Sequence, residues 1–277
     1  MVKKSERKLG NQKCGMDGSV TVFRVFSRLD VKNSNVVKGI QLDGLRRMGD
    51  PKTLARKYLD LGVDELVMID VVASLYNRPS LFSLITDIAN ELRIPLTGVG
   101  GVRSLEDARE VFNSGADKVA VNSAGLHNPL IFSEISKNFG NQSVVCSIEA
   151  KKTNKSQQWQ CMTENGRNDS DVEISGWVPT LEDLGVGEIF VTSVDSDGTN
   201  RGPDLNLCER IRELTELPII YSGGVRNADD VYEIAKRGID GVAIASALHY
   251  DRLAVKDLKT FLFEKGFFVR TLSEDKC

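Results

Sequence analysis

LVMIDVVAS (66–74) opens a succession of three segments that this chain contains twice. In the first copy it is followed by GVGGVRSLEDA (98–108) and GADKVAVNSA (115–124). The second copy runs IFVTSVDSDGT (189–199), YSGGVRNADDV (221–231) and GIDGVAIASA (238–247). Each copy is an apolar strand ending in an acidic residue, a Gly-Gly turn opening a helix, and a strand ending in small polar residues. Two like halves of this kind predict a closed barrel with two facing phosphate sites, and so a substrate with a phosphate at each end.

Apolar, β-branched runs alternate with helix-like segments along the whole chain. We predict strands at 24–29, 65–70, 95–98, 117–122, 143–149, 187–193, 217–222 and 240–245. Helices are predicted at 51–61, 80–93, 104–114, 128–138, 175–184, 204–215, 227–237 and 255–265. Apolar strands separated by helices are typical of a parallel sheet with a covered outer face. Eight such units predict an α/β fold, a single (β/α)8 TIM barrel built from two similar half-barrels. An open doubly wound sheet is the alternative, and the half-chain repeat weighs against it.

A chain of 277 residues suits one such barrel, which we expect over residues 21–277. Residues 1–20 are polar and Lys-rich, and we expect them to form a disordered N-terminal extension. The formal net charge of −3 does not favour binding to nucleic acid or to a membrane surface. No apolar run approaches the roughly 20 residues that cross a bilayer.

The five cysteines stand alone, without a C-x-x-C pair, and the chain has only two histidines. We therefore predict no metal site, no cofactor and a reducing, cytoplasmic location. His127 and His249 are interpreted as surface or capping residues rather than catalysts.

The chemistry of a TIM barrel lies at the carboxyl ends of its strands. Polar residues or glycines end or follow nearly every predicted strand: Asp30, Asp70, Gly100 and Gly101, Asn122 and Ser123, Glu149, Thr192, Ser193, Asp195 and Asp197, Gly223 and Gly224, Ala245 and Ser246. We therefore expect substrate contacts from these positions.

Two Gly-Gly turns carry the phosphate prediction. Glycine lets backbone amides approach a ligand closely, and the following helix adds its positive amino end. We call Gly100, Gly101, Asn122 and Ser123 the first cradle, and Gly223, Gly224, Ala245 and Ser246 the second cradle. One Gly-Gly pair is a weak indication, since turns need glycine anyway, but its recurrence at matching offsets strengthens it.

Asp30 and Glu149 end the first and fifth predicted strands, which lie on opposite sides of an eight-stranded barrel. Two acids across one mouth can share general acid and base duties. The alternative is that each forms an ion pair with a lysine close in sequence: Lys32, Lys38, Lys151 or Lys152. Asp195 and Asp197 lie in a DSDGT turn, where aspartate often braces the backbone, and we expect them to support the site.

Four charged residues lie near the starts of strands and form what we call the charged ring: Arg24, Glu65, Lys118 and Glu188. They should face the opposite, amino-terminal end of the barrel, where ion pairs usually close the bottom layer.

The chain resembles the cyclase subunit family of imidazole glycerol phosphate synthase. The similarity runs from about residue 22 to 270 and is carried by RLDVKNSNVVKG (28–39), GDP (49–51), DELVMIDVVAS (64–74), GADKVAVNSA (115–124), GEIFVTSVDSDGT (187–199) and SGG (222–224). It implies a half-barrel repeat that closes an imidazole ring in histidine synthesis with ammonia from a partner glutaminase. The implied substrate is a ribulosyl aminoimidazole carboxamide nucleotide with two phosphates, and the products are imidazole glycerol phosphate and an aminoimidazole carboxamide ribotide.

The resemblance also implies roles for individual residues. Asp30 matches the first catalytic aspartate of the family, and Lys38 matches a lysine on the mobile loop after strand 1. Substrate-contacting positions are matched by Gly101, Asn122, Thr192, Gly224 and Ser246. The charged ring matches residues thought to admit ammonia, and Asp117 matches a position at the glutaminase interface.

The chain departs from the family pattern at four points. Glu149 stands where the family has its second catalytic aspartate, which shifts the carboxylate by about 1.5 Å, and a misplacement of about 1 Å can cost 100-fold in rate. Arg47 stands where the family usually has an acid, and Leu42 where it usually has an aromatic residue. The first glycine turn reads GVGG rather than GGG.

Loops 32–50 and 151–172 are expected to close over the substrate, the second as a lid or a two-stranded excursion.

Other functions remain as alternatives. A branch of the family, found in surface-sugar gene clusters, is thought to use glutaminase-derived ammonia to form an acetamidino group on a nucleotide sugar. The single-chain isomerase of histidine synthesis shares the half-barrel repeat, but it has no use for an ammonia entrance. A non-catalytic barrel that binds a glutaminase is the last alternative.

Overall fold

The computed structural model describes residues 22–72, 82–154 and 158–270. Its strands are β1 Arg24–Lys32, β2 Asn35–Ile40, β3 Asp43–Gly49, β4 Glu65–Asp70, β5 Leu96–Val99, β6 Lys118–Val121, β7 Val144–Lys152, β8 Trp159–Thr163, β9 Asn168–Glu173, β10 Glu188–Ser193, β11 Ile219–Ser222 and β12 Gly241–Ile244. Its helices are α1 Pro51–Asp60, α2 Phe82–Glu91, α3 Leu105–Asn113, α4 Ser123–His127, α5 Leu130–Phe139, α6 Ile174–Trp177, α7 Leu205–Glu213, α8 Ala228–Lys236, α9 Ser246–His249 and α10 Val255–Glu264.

Eight of these strands form a closed parallel barrel, in the order β1, β4, β5, β6, β7, β10, β11 and β12. Closure is complete because β1 pairs in parallel with both β12 and β4, and β7 pairs in parallel with both β6 and β10. The predicted (β/α)8 barrel is confirmed. The first strand and the fifth strand, β1 and β7, are four positions apart in this ring and therefore lie on opposite sides of it.

Each half of the barrel begins with a long strand that continues into an antiparallel hairpin. In the first half β1 pairs with β2, which pairs with β3; in the second, β7 pairs with β8, which pairs with β9. The segment 32–50, expected to be a loop, is therefore a hairpin. The two-stranded excursion expected within 151–172 is present in the part of it that the structure describes. Both barrel strands also extend beyond their predicted ends, so Asp30 and Glu149 lie within β1 and β7 rather than at their last residues.

Side chains alternate along each strand, and this sorts the barrel interior into layers. On β1 the residues at every second position, Arg24, Phe26, Arg28 and Asp30, face inward from the bottom of the barrel to its mouth. The middle layer is a small apolar cluster that includes Phe26, Val67, Val99, Ala120, Val145, Phe190, Ile220 and Ala243. A larger apolar cluster lies between the strands and the helices that cover them.

The helices begin with the same local signals in both halves. At the start of α3, Ser104 and Asp107 form a capping box, and at the start of α8 the Asn227 side chain accepts a hydrogen bond from the Asp230 amide. The predicted helix 175–184 is wrong in extent: α6 ends at Trp177 and a 3₁₀ turn, Val178–Thr180, follows. Proline 179 has no N–H to continue the α-helical hydrogen-bond ladder, which accounts for the early end.

The extension predicted at 1–20 lies outside the described residues. Among the helices that the structure describes, none has the length and apolar character needed to span a membrane.

Candidate active site

The mouth of the barrel contains a cavity of about 420 Å³. It joins the first cradle to two charged side chains, Glu149 and Arg28, and its floor includes Ala120 and Phe190 of the apolar middle layer. Asp70 and Thr192 also line it, as expected from their positions at strand ends. The cavity therefore reaches from a predicted phosphate site down into the barrel interior.

The Gly-Gly turns of the two cradles have nearly the same backbone conformation. Gly100 and Gly101 have φ angles of 104° and 76°, and Gly223 and Gly224 have 118° and 77°. A Cβ atom on Gly100 would lie 2.7 Å from the carbonyl oxygen of Asp70, and one on Gly223 would lie 2.9 Å from that of Ser193. Glycine is thus required in both turns for two reasons, the positive φ angle and the close approach of the preceding strand.

The repeat extends to the residues that complete each cradle. Asn122 (φ −117°, ψ −95°) is the N-cap residue that precedes α4, and Ala245 (φ −115°, ψ −81°) is the N-cap residue that precedes α9. The second cradle encloses a small cavity of about 20 Å³ whose lining also includes Asp197. A cavity of about 570 Å³ adjoins it, shares Ser246, and is lined by Lys38. Sequence similarity between the halves therefore corresponds to the same backbone geometry.

Asp30 is almost fully buried and ion-paired on both oxygens. Its Oδ1 accepts a hydrogen bond from Arg28 Nε at 2.7 Å, and its Oδ2 lies 3.4 Å from Lys38 Nζ. Burial alone would raise the pKa of Asp30, but Arg28 and Lys38 outweigh it, so the pKa lies below its usual range. The ion pair expected as an alternative at Asp30 is thus present with Lys38, and Asp30 is held as a carboxylate.

Glu149, on the opposite side of the mouth, has a different environment. Its Oε2 accepts a hydrogen bond from the Gly166 amide at 2.8 Å, and Lys151 and Lys152, the lysines considered as its ion-pair partners, have exposed side chains. Burial raises the pKa of Glu149 to about 7, although Gly166, Arg28 and the Asn122 amide oppose that rise. A carboxyl group with a pKa near neutrality can both donate and accept a proton at working pH.

The β2–β3 hairpin covers the second half of the mouth. Lys38 Nζ donates to Asp197 Oδ2 at 2.5 Å, and the Gln41 amide donates to the Asp197 carbonyl at 2.7 Å. The β8–β9 turn meets this hairpin, since Asn165 Nδ2 donates to the Leu42 carbonyl at 3.2 Å. Leu42 also packs with Met162 and Val194 in a small apolar cluster. The two segments expected to close over the substrate therefore touch each other above the barrel.

The structure places three other predicted residues less directly. Ser193 is fully buried and lines none of the three cavities described above, so its part in the site is to back the Gly223 turn through its carbonyl. Asp195 braces the backbone, as expected, by accepting from the Lys152 amide at 2.7 Å. His249 is mostly buried rather than on the surface: its Nδ1 lies 2.5 Å from the Tyr58 hydroxyl, and burial lowers its pKa to about 4.

Arg28 is the functional candidate that sequence reasoning missed. Only 2% of its surface is exposed, and its NH1 donates to Thr192 Oγ1 at 3.1 Å and Ser222 Oγ at 3.3 Å. Burial opposes the charge of the guanidinium, but Asp30 and Asp197 outweigh it and raise its pKa above the usual value. The signal was available, because counting back two residues from Asp30 along a strand places Arg28 on the same inward face.

The charged ring is closed at the bottom of the barrel. Arg24 NH1 lies 2.7 Å from Glu65 Oε1, and Arg24 also pairs with Glu188. Lys118 Nζ lies 2.9 Å from Glu65 Oε2 and 2.8 Å from Glu188 Oε2. Asp117, next to the ring, is exposed and accepts from the Leu96 amide with one oxygen. The four side chains alternate in charge. Both cations of the ring, Arg24 and Lys118, lie against the face of the Phe26 ring in the layer above.

Comparison with known proteins identifies the family of the chain. The family model described as histidine biosynthesis protein matches residues 24–254. The imidazole glycerol phosphate synthase subunit HisF of Prochlorococcus marinus (strain AS9601) is 40% identical over 91% of this chain and 99% of its own length. The HisF subunit of Thermococcus onnurineus (strain NA1) is 40% identical over 89% of this chain and 97% of its own length. That of Clostridium botulinum (strain Alaska E43 / Type E3) is 39% identical over 89% and 98%. The chain therefore belongs to the histidine biosynthesis protein family, and within it to the HisF subunits of imidazole glycerol phosphate synthase.

Proposed function

We propose that this protein is the cyclase subunit of imidazole glycerol phosphate synthase. Ammonia and a ribulosyl aminoimidazole carboxamide nucleotide are converted to imidazole glycerol phosphate and an aminoimidazole carboxamide ribotide, with release of water. The observation that carries the proposal is the pair of acids, Asp30 and Glu149, on opposite barrel strands, with a glycine cradle beside the mouth in each half. Identity of about 40% to HisF subunits over nearly the whole chain makes the sugar-amidinating, isomerase and non-catalytic alternatives unnecessary.

The two cradles would hold the two phosphates of the substrate. The first cradle opens into the 420 Å³ cavity, and the second opens into the cavity that Lys38 and Ser246 line. A substrate fixed at both ends spans the mouth, which places its central atoms between β1 and β7. Such two-point fixation supplies orientation, which is a large part of what an enzyme contributes to a step joining two reactants.

Side chains at the mouth of the barrel would carry out the proton transfers. As ammonia attacks and the ring closes, one nitrogen must lose a proton and the leaving nitrogen must gain one. Asp30 and Glu149 are the two acids on opposite sides of the mouth, and of the two it is Glu149 that lines the 420 Å³ cavity in which the substrate would lie. Thr192 and Asn122 line the same cavity and can accept or donate hydrogen bonds to it.

Ammonia would enter from the opposite end of the barrel. The relatives are named as subunits, and we propose that the partner is a glutaminase seated on the face that carries the charged ring and Asp117. The Arg24 and Lys118 side chains are 23% and 17% exposed there, so a partner can reach the ring from outside. Above the ring, the middle layer of the barrel is formed by the apolar side chains described above.

The test is an ammonium-dependent cyclase assay. Purified protein, the ribulosyl nucleotide and a high concentration of ammonium salt are combined at alkaline pH, so that no glutaminase is needed. We expect enzymatic turnover, and we expect Asp30→Asn to abolish it while phosphate binding remains nearly unchanged. Folded protein that binds the substrate without turning it over would refute the proposal, and full activity in Asp30→Asn would refute the role of Asp30.

A further inference from the structure

Arg28 is a buried cation at the centre of the barrel that the proposed reaction does not yet use. It extends from β1 across the layer just below the mouth, and its NH1 reaches side chains of β10 and β11. Its Nε contacts Asp30, and its NH1 lies 3.9 Å from Asp197 Oδ1. It also forms part of the wall of the 420 Å³ cavity, together with Glu149. Burying a charge of this kind destabilises the fold unless neighbouring charges and hydrogen bonds offset the lost hydration.

The charges around the two acids differ sharply. Asp30 faces Arg28 on its own strand and Lys38 on β2, with His249 of α9 nearby and Asp197 sharing the same lysine. Two cations and two carboxylates thus form a compact buried quartet. Because one cation lies against each oxygen of Asp30, the neutral form of this carboxyl group is strongly disfavoured.

Among the residues that the structure describes, no cation is in direct contact with Glu149. It accepts from the Gly166 amide, with Asn122 beside it, while Arg28 and Asp30 act on it only at longer range. The other ionisable residues that line its cavity are Asp70, Arg103, His127 and Glu164. Glu149 lines the cavity directly, whereas Asp30 lines none of the three cavities described at the mouth. Access and local charge therefore both favour Glu149 as the group that exchanges protons with a ligand.

We propose that Arg28 is a positioning residue that fixes Asp30 as a permanent carboxylate and so leaves Glu149 as the single proton carrier of the reaction. As ammonia forms its bond to the substrate carbon, the Glu149 carboxylate takes a proton from that nitrogen. The resulting carboxylic acid returns a proton to the leaving nitrogen, which departs with the electron pair of the carbon–nitrogen bond that breaks. The nitrogen that came from ammonia then bonds to the carbonyl carbon of the ribulosyl chain, and the carbonyl oxygen leaves as water with the two protons that remain on that nitrogen. Asp30 stays ionised throughout and only accepts hydrogen bonds. This inference rests on the proposed function for its chemistry, but the ionisation states that it assigns do not depend on turnover.

The first measurement is therefore made without substrate. Carboxyl groups of ¹³C-labelled aspartate and glutamate are titrated by NMR, and the two signals are assigned from their loss in Asp30→Asn and Glu149→Gln. We expect the Glu149 signal to titrate near neutral pH and the Asp30 signal to stay ionised down to acid pH. In Arg28→Met the Asp30 signal should move upward in pH, and in Arg28→Lys, which keeps the charge but not the planar fork, it should move less.

The second measurement is the pH profile of ammonium-dependent kcat. The wild type should show one ionisation near neutral pH, and Glu149→Gln should retain only residual turnover that lacks this ionisation. Arg28→Met should lower kcat by about 100-fold, which is the scale expected for a misplaced reacting group. Its pH profile should also show a second ionisation, that of Asp30. Arg28→Lys should show only the one ionisation seen in the wild type. Lys259→Met, which breaks the buried Lys259–Asp64 pair (2.6 Å) outside the mouth, is the matched control and should leave the profile unchanged.

An Asp30 signal that titrates near neutrality in the wild type, or is unmoved in Arg28→Met, would overturn the inference. The inference is also overturned if the kcat profile of Glu149→Gln still shows the ionisation near neutral pH. Should Arg28→Met fail to fold, the titrations of the wild type and Arg28→Lys decide the question. A protein with no cyclase turnover but the expected titrations would refute the proposed function and leave the role of Arg28 in ionisation standing.

Discussion

Lys38 on β2 and Asp197 on the loop after β10 are joined by a buried ion pair, with Nζ 2.5 Å from Oδ2, although 159 residues separate them in the chain. The pair connects the hairpin that extends β1 to the second half of the barrel. It also places the Lys38 ammonium beside Asp30, at 3.4 Å from Oδ2. One side chain therefore links the covering hairpin to the acid beneath it.

Replacing Lys38 by methionine should release the β2–β3 hairpin, because Asp197 would be left as a buried carboxylate without its closest cation. Removal of one partner from a buried pair typically costs about 3–5 kcal/mol, and we expect much of this cost as local opening. Hydrogen exchange of the β2–β3 amides should accelerate while that of the barrel strands stays unchanged. Lys57→Met, which breaks an exposed pair with Asp251, is the control and should alter neither. Uniform destabilisation of the barrel would contradict this expectation.

Glu149 makes folding stability depend on pH. Its pKa is raised from 4.5 to about 7 in the folded protein, so the folded state binds more protons than the unfolded state between these values. The free energy of unfolding should therefore fall as pH rises from about 4.5 to 7, by at most about 3 kcal/mol, and then level off. Glu149→Gln should remove this loss and be more stable than the wild type at pH 8. Urea denaturation at pH 5 and pH 8 measures both, and an equal difference between the two proteins at both pH values would argue against a raised pKa.

Shortening Glu149 to aspartate should lower turnover rather than raise it. The longer side chain lets Oε2 reach the Gly166 amide at 2.8 Å, and a retraction of about 1.5 Å would break this contact. A shift of that size can cost about 100-fold in rate. The measurement is kcat of Glu149→Asp in the ammonium-dependent assay, and a value at or above that of the wild type would show that the Gly166 contact is dispensable.

Gly223→Ala should weaken binding of the substrate phosphate. The new Cβ would lie 2.9 Å from the Ser193 carbonyl oxygen, and the φ of 118° is strained for any L residue, so the turn must move. We expect KM for the nucleotide to rise at least tenfold. Gly266→Ala is the matched control, since it has a φ of 92° with nothing within 4 Å of the new atom. An equal KM in the two variants would remove Gly223 from the phosphate site.

Lys118→Met opens the charged ring. Glu65 and Glu188 would then share only Arg24, and two carboxylates would face each other with one cation between them. Because Lys118 is only 17% exposed, we expect a loss of about 1–3 kcal/mol in the free energy of unfolding, well above the cost of an exposed pair. Urea denaturation of Lys118→Met and of the double variant Lys118→Met/Glu188→Gln tests this. The second change should recover part of the loss by removing the uncompensated charge, and no recovery would show that lost packing dominates.

Much of this architecture follows from local sequence patterns. The alternation of apolar strands and helices predicted the barrel, and GVGG and SGG predicted turns that the structure forms with matching φ angles at Gly100 and Gly223. Counting strands placed Asp30 opposite Glu149. Local chemistry could not foresee long-range contacts: His249, interpreted as a surface or capping residue, is mostly buried, and its Nδ1 lies 2.5 Å from the Tyr58 hydroxyl of α1.

The sequence by itself determined the fold class, the half-chain repeat, the glycine turns and the strand ends that carry polar groups, because each depends on residue type and spacing within a short segment. Only the tertiary structure decided which charges meet. Arg28 contacts Thr192 across 164 residues of sequence, and Lys38 contacts Asp197 across 159. Such pairs exist only once the barrel has closed and brought β1, β2 and β10 to one mouth. The ionisation of Asp30 and Glu149 is likewise set by burial and neighbouring charge, which the order of residues along the chain does not specify.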